Sequence, residues 1–109
     1  MFKDNKILIL GLARSGYSAA KILIERGNKV ILNDSKEEKK LDKDQISELR
    51  ELGVKLIFGS HPDDLLDNSF DYLIKNPGVP NSHKYVVKAQ ELGIEVLNEV
   101  EMTYRLLPD

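Results

Sequence analysis

Five short apolar runs, separated by segments with a helical spacing of apolar residues, constrain the fold of this chain most strongly. The runs are continuous rather than alternating, which is typical of strands that are buried on both faces of a parallel sheet. Strands that alternate with helices pair in parallel through right-handed crossovers. The predicted strands are Lys6–Leu10, Lys29–Asn33, Val54–Phe58, Phe70–Ile74 and Ile94–Leu97. The sequence therefore predicts an α/β fold, a doubly wound parallel five-stranded Rossmann-like three-layer sandwich.

The predicted helices lie between these strands and end where glycine follows, since glycine readily adopts the left-handed conformation after a helix. The segment from His61 to Asn68 predicts a short helix or turn, and the mixed charges of residues 34–44 predict a solvated connection. The predicted helices are Ser15–Arg26, about Asp42–Leu52, a helix capped by Ser82 that carries Tyr85, Val86, Ala89 and Leu92, and Glu99–Leu107.

The length and charge of the chain exclude several classes of function. A chain of 109 residues is the length of one domain, so residues 1–109 are predicted to form one. The net charge of −2 provides no basic field for nucleic acid or an anionic membrane, and we expect neither partner. The chain has no cysteine, which excludes disulfides and fits a cytoplasmic protein.

The loop Gly11–Gly16 is the first candidate site, because ligands of parallel sheets bind beyond the carboxyl ends of the strands. Two glycines at a strand-to-helix turn expose backbone N–H groups to an anion, and the helix dipole adds its positive end. Ala13 departs from the dinucleotide fingerprint, and Tyr17 replaces the lysine of a P-loop. Two interpretations stay open, a tight turn alone or an anion site in which Arg14 meets phosphate.

Two further loops follow predicted strands. Asp34, Ser35 and Lys36 carry the acceptor and donors for ribose hydroxyls or a base edge, or else form an Asx turn. Asn76 and Gly78 flank Pro77 in a rigid turn in which the glycine permits close backbone contact. No residue is predicted to be catalytic and no metal site is predicted, because no acid–base pair or ligand cluster stands out.

Five motifs follow one another along the chain: residues 9–16 (ILGLARSG), 33–35 (NDS), 59–62 (GSHP), 74–80 (IKNPGVP) and 96–101 (VLNEVE). Their order and spacing resemble the N-terminal domain of the Mur ligases. The resemblance spans essentially the whole chain and is greatest to the ligases that join D-glutamate to UDP-N-acetylmuramoyl-L-alanine. Asn98 stands where that family usually has threonine or serine, and Lys36 stands where arginine is possible.

The resemblance implies that this domain binds the UDP portion of the nucleotide-sugar substrate in peptidoglycan biosynthesis. It places the site residues in three groups. Asp34, Ser35 and Lys36 contact uracil; Arg14 and Ser15 lie along the diphosphate with the backbone of the turn, including Gly16; and Asn76 and Gly78 border the sugar.

The resemblance also implies which parts of the reaction lie elsewhere. The full enzymes use ATP and Mg²⁺ to make an acyl phosphate that the D-glutamate amine attacks, and they hold ATP and D-glutamate in central and C-terminal domains. We therefore expect the 109-residue chain to need no cofactor, to bind the UDP substrate weakly and to catalyse nothing. Two alternatives remain: an NAD(P)-binding Rossmann module of an oxidoreductase or nucleotide-sensing regulator, and an α/β interaction module without a ligand.

Overall fold

The computed structural model describes residues 3–12 and 15–106. Its centre is a sheet of five parallel strands in the order β3-β2-β1-β4-β5, which confirms the predicted α/β fold. The strands are β1 (Lys6–Leu10), β2 (Lys29–Asp34), β3 (Lys55–Phe58), β4 (Tyr72–Lys75) and β5 (Glu95–Asn98). The helices are α1 (Ser15–Glu25), α2 (Lys43–Leu52), α3 (Lys84–Leu92) and α4 (Glu99–Leu106), and a 3-10 turn spans Glu38–Lys40.

The central strand β1 shows why its apolar run is continuous. Ile7 and Ile9 point into the cluster that α1, α2 and α4 cover, whereas Leu8 and Leu10 point into the cluster on the other face. All four side chains are buried, since neighbouring strands and covering layers surround them. Burial of such side chains stabilises the fold by about 1.5–3 kcal/mol each. The two clusters make the three layers of the predicted sandwich.

The second face of the sheet is covered partly by α3 and partly by an irregular segment. The predicted short helix or turn at residues 61–68 is a series of turns, and β4 begins at Tyr72 rather than at Phe70. Leu66 and Phe70 are buried against the sheet, so this irregular segment covers part of the face that a helix covers elsewhere. Asp67 turns the chain here, because its Oδ1 accepts a hydrogen bond of 2.9 Å from the N–H of Ser69.

The helix ends agree with the predicted signals except at α3. Asp42 caps α2 by accepting from the N–H groups of Asp44 and Gln45, and Gly53 ends that helix at a φ of 100°. The prediction that Ser82 caps the next helix is wrong. His83 is the cap instead, because its ring Nδ1 accepts from the N–H of Tyr85. Within residues 3–12 and 15–106, no helix is long and apolar enough to cross a membrane.

Candidate functional site at the carboxyl ends of the strands

The sheet reverses its strand order between β1 and β4, and a cavity of about 180 Å³ opens beside this point. The strand register brings Leu10 level with Asn33 on β2 and with Lys75 on β4, so three strand ends meet at one edge. Larger depressions lie on α2 and at the opposite edge of the sheet, away from these ends. The cavity is lined by Leu10, Gly11, Asn33, Asp34, Ser35, His61, Val79 and His83.

Asp34 joins the loops that follow β1 and β2. Its Oδ2 accepts a hydrogen bond of 3.0 Å from the N–H of Leu12, and its Oδ1 accepts one of 2.9 Å from the N–H of Lys36. The residue is only 9% exposed, so these charge-assisted bonds offset the cost of burying the carboxylate. The carbonyl of Asp34 also accepts from the N–H of Gly59 after β3. One residue therefore ties together the loops after three strands.

Asn33 is fully buried and all its amide groups have partners. Its Nδ2 donates hydrogen bonds of 2.8 Å to the carbonyls of Ile57 and Ser60, while its Oδ1 lies 2.5 Å from Nδ1 of His61. Both carbonyls can only accept, which fixes the orientation of the amide and leaves Oδ1 facing the imidazole. Nδ1 of His61 must therefore carry the proton.

Three rings pack together beside the cavity. The ring centroids of His61 and His83 are 4.7 Å apart in an edge-on arrangement, and Tyr85 lies 5.5 Å from each. The Tyr85 hydroxyl donates a hydrogen bond of 2.6 Å to the carbonyl of Pro62. Burial raises the pKa of Tyr85 to about 12, with Asp63 adding to the rise.

Both histidines are held neutral at pH 7. Burial lowers the pKa of His61, Lys84 lowers it further, and Asp34 opposes the fall. Burial likewise lowers the pKa of His83, and His61 and Lys84 add to the effect. The cost of charging a ring in this half-buried cluster therefore keeps both imidazoles uncharged.

The loop after β4 is rigid because its own side chains bind its backbone. Oδ1 of Asn76 accepts a hydrogen bond of 2.9 Å from the N–H of Gly78, which makes an Asx turn. The Nζ of Lys75 donates a bond of 2.9 Å to the carbonyl of Val79. The loop thereby holds Val79 at the cavity wall.

The turn after β1 brings α1 into direct contact with the strand end. Gly11 has a φ of 95°, a conformation that residues with a side chain rarely adopt, and its N–H donates a bond of 2.7 Å to the carbonyl of Asn33. A Cβ on Gly16 would lie 1.9 Å from the carbonyl oxygen of Gly11. Only glycine permits this approach, which places the N-terminus of α1 at the strand ends.

Comparison with known proteins decides the family. A family model described as "Mur ligase MurD-like, N-terminal domain" matches residues 5–98. This chain belongs to the Mur ligase family. It is 54% identical over 104 residues to the UDP-N-acetylmuramoylalanine--D-glutamate ligase of Enterococcus hirae, and the match covers 95% of this chain and 22% of that protein. The same enzyme of Streptococcus mutans is 47% identical over 104 residues, with 94% and 22% covered.

A solved structure of the family has the same fold as this Mur ligase domain. The UDP-N-acetylmuramate:L-alanyl-gamma-D-glutamyl-meso-diaminopimelate ligase from Neisseria meningitides matches with a TM-score of 0.75 and 19% identity, covering 94% of this chain and 31% of that one. This chain therefore spans less than a third of that protein and 22% of the two curated relatives.

The Mur ligase domain brings most of the predicted site residues to one edge of its sheet. Asp34 and Ser35 line the cavity, and Lys36 is exposed next to them. Gly16 is buried in the first turn of α1. Asn76 and Gly78 lie on the loop that carries Val79. Arg14 and the side chain of Ser15 lie outside the part of the chain that the structure describes.

Asn33, His61 and His83 lie at this site although the sequence assigned none of them a ligand contact. Asn33 ends an apolar strand, where a polar residue indicates a tie between strand ends, and that signal was available in the sequence. The two histidines are 22 residues apart and meet only because β4 and its loop return to the edge of the sheet. Among the described residues, no group of three or more His, Asp or Glu side chains is placed to hold a metal ion.

Proposed function

We propose that this domain binds the UDP portion of UDP-N-acetylmuramoyl-L-alanine for a cytoplasmic ligase that adds D-glutamate in peptidoglycan biosynthesis. The observation that carries the proposal is the cavity at the strand ends, lined by Gly11, Asp34 and Ser35, in a MurD-like domain. ATP, Mg²⁺ and D-glutamate are the further partners, and parts of the protein outside these 109 residues would hold them.

The diphosphate would lie over the N-terminus of α1. That helix has eleven residues and no acidic residue in its first turn, so the positive end of its dipole favours an anion. Arg14 and Ser15 would add donors to the phosphate oxygens, and Gly16 allows close approach to the turn. Two negative charges can be neutralised in this way without a metal ion.

The uridine would lie across the loop after β2, with Asp34, Ser35 and Lys36 as its contacts. Ser35 and Lys36 are exposed and can turn toward a base or a ribose. The carboxylate of Asp34 has lone pairs beyond the two that its backbone partners use. Asn76 and Gly78 would border the sugar from the loop after β4.

Titration of the ¹⁵N-labelled chain with UDP-N-acetylmuramoyl-L-alanine, and separately with NAD, tests the proposal. We expect chemical-shift changes at residues 11–16 and 34–36 with the UDP compound. Changes with NAD alone would favour the oxidoreductase or nucleotide-sensing alternative, which the position of Asp34 at the end of β2 supports. Changes with neither ligand would favour a module that binds other proteins.

Arg14→Ala separates the diphosphate contact from general charge. Loss of a charge-assisted bond to phosphate should weaken binding by about 1.5–3 kcal/mol, measured by calorimetry. The matched control is Arg26→Ala, which removes the same charge just after the other end of α1 and should leave the affinity unchanged. Equal losses in the two variants would refute the assignment.

With ATP and D-glutamate added, the chain alone should release no phosphate above a blank without protein.

A further inference from the structure

The imidazoles of His61 and His83 each use one nitrogen inside the fold. The Nδ1 of His61 donates to the buried amide of Asn33, and the Nδ1 of His83 accepts from the N–H of Tyr85. A neutral imidazole has one N–H and one bare nitrogen. The Nε2 of His61 is therefore an acceptor, and the Nε2 of His83 carries a proton and is a donor.

Both Nε2 atoms are available to a ligand. Within residues 3–12 and 15–106, neither atom has a hydrogen-bond partner. No fully buried side-chain nitrogen or oxygen there lacks a partner, so these two nitrogens reach solvent. Both rings line the cavity at the strand ends, and their centroids are 4.7 Å apart. An acceptor and a donor thus lie on neighbouring rings in the wall of the proposed binding site.

We propose that His61 and His83 form a donor–acceptor pair that binds an amide-type group of the ligand, in which an N–H lies beside a C=O. The N–H of the ligand would donate to Nε2 of His61, and its carbonyl would accept from Nε2 of His83. This inference rests on the proposed function. The imide edge of uracil in a UDP compound offers that chemistry, because its N3–H lies beside a carbonyl. The acetamido group of an N-acetyl sugar does not, because the N–H and C=O of a trans amide point in opposite directions.

The pairing requires His61 to be neutral, because its Nε2 must accept a hydrogen bond, and this makes the pairing sensitive to pH. The Nε2 of His83 is a donor whether that ring is neutral or protonated. The charged and titratable groups around the pair are Asp34 at the end of β2, Asp63 on the segment between β3 and β4, and Lys84 and Tyr85 on α3. Lys84, which pairs with Asp63 at 2.8 Å, disfavours protonation of both rings. Protonation of His61 would turn its acceptor into a second donor and remove the match to the ligand. The contact should therefore persist at pH 7 and disappear as the pH falls below the ordinary histidine range, since burial lowers both pKa values.

His61→Asn and His83→Asn test the pair while keeping its inner hydrogen bonds. The amide nitrogen of an asparagine can replace Nδ1 of His61 as the donor to Asn33, and its oxygen can replace Nδ1 of His83 as the helix cap. Each variant loses Nε2 alone. The matched variants His61→Gln and His83→Gln place an amide group near the position of Nε2. Thermal unfolding of each variant verifies that it folds.

Calorimetric titration of the chain with UDP, UDP-glucose and UDP-N-acetylglucosamine tests the contact with uracil, which all three compounds contain. We expect each asparagine variant to bind about three- to tenfold more weakly, the effect of one neutral hydrogen bond, with partial rescue in the glutamine variants. A loss with all three compounds supports the contact with uracil, whereas a loss confined to UDP-N-acetylglucosamine would overturn it. The wild-type affinity for UDP-glucose should fall as the pH is lowered below 6.5, the ordinary pKa of histidine. His61→Asn should abolish the part of this fall that protonation of His61 causes.

The failures of the two proposals are distinguishable. Unchanged affinities in folded asparagine variants, or an unchanged pH profile, would overturn the histidine pair and leave UDP binding intact. No binding of any UDP compound to the wild-type chain would overturn the proposed function, and the inference with it.

Discussion

Gly16→Ala tests whether the contact between α1 and the end of β1 sets the geometry of the glycine turn. Helix propensity alone favours alanine over glycine by about 1 kcal/mol. The added Cβ, however, would lie 1.9 Å from the carbonyl oxygen of Gly11, and real contacts of this kind do not fall below 3.0 Å. The helix and the strand end would have to separate by about 1.1 Å. Propensity and packing therefore predict changes of opposite sign.

The packing term should dominate. The clash is with backbone, which cannot rotate away, and overpacking costs about 1–3 kcal/mol. Because the Cβ would approach a backbone oxygen to 1.9 Å, we expect the upper part of that range, about 2–3 kcal/mol. After the propensity gain, the net loss is about 1–2 kcal/mol. For a domain of this size, each kcal/mol lowers the melting temperature by about 4–8 °C. We expect Gly16→Ala to melt at least about 4 °C below the wild type in calorimetry. Ser18→Ala, at an exposed position of the same helix, is the control and should leave the melting temperature within about 2 °C. A Gly16→Ala variant that melts at or above the wild type would refute the reasoning.

Three further substitutions test other contacts. Asn33→Leu keeps the branched shape of the side chain but leaves the carbonyls of Ile57 and Ser60 without donors, so urea unfolding should show a loss of about 2 kcal/mol or more in the free energy of unfolding. A loss below about 0.5 kcal/mol would contradict the role given to these hydrogen bonds. Asp42→Ala should cost about 1 kcal/mol by the same assay, and Asp42→Asn should retain most of the cap. Tyr85→Phe should cost about 1 kcal/mol at pH 7. The pKa of Tyr85 is raised to about 12 in the fold, so the wild type should keep its higher free energy of unfolding below pH 10 and lose it as the pH rises through 12. An equal difference in this free energy between wild type and variant at pH 7 and at pH 11 would contradict the prediction.

The strands were predictable because burial on both faces leaves a continuous apolar run, as at Ile7–Leu10. The segment before β4 was harder to predict. Leu65 and Leu66 have the composition of a short helix, yet turns at Pro62 and Asp67 bury Leu66 without one. The cap of α3 was misplaced by one residue because serine is a common cap, whereas an imidazole nitrogen seldom takes that role.

The candidate site was only partly predictable, for a physical reason. Strand-end rules located Asp34 and Asn76, since they depend on local order along the chain. The proximity of His61 and His83 depends on how a segment of more than twenty residues, which includes β4, returns to the edge of the sheet. Nothing in the spacing of two histidines encodes that approach.

The position of Asp34 limits how the nucleotide preference that we propose for this domain could be altered. One carboxylate anchors the turn that would carry phosphate and the loop that would carry the nucleoside. Substituting Asp34 to suit another base would leave the N–H of Leu12 without its acceptor and would destabilise the turn proposed to bind phosphate as well. A redesign for another nucleoside would therefore first need a new hydrogen-bond acceptor for the N–H of Leu12, because the proposed phosphate and nucleoside loops depend on the same carboxylate.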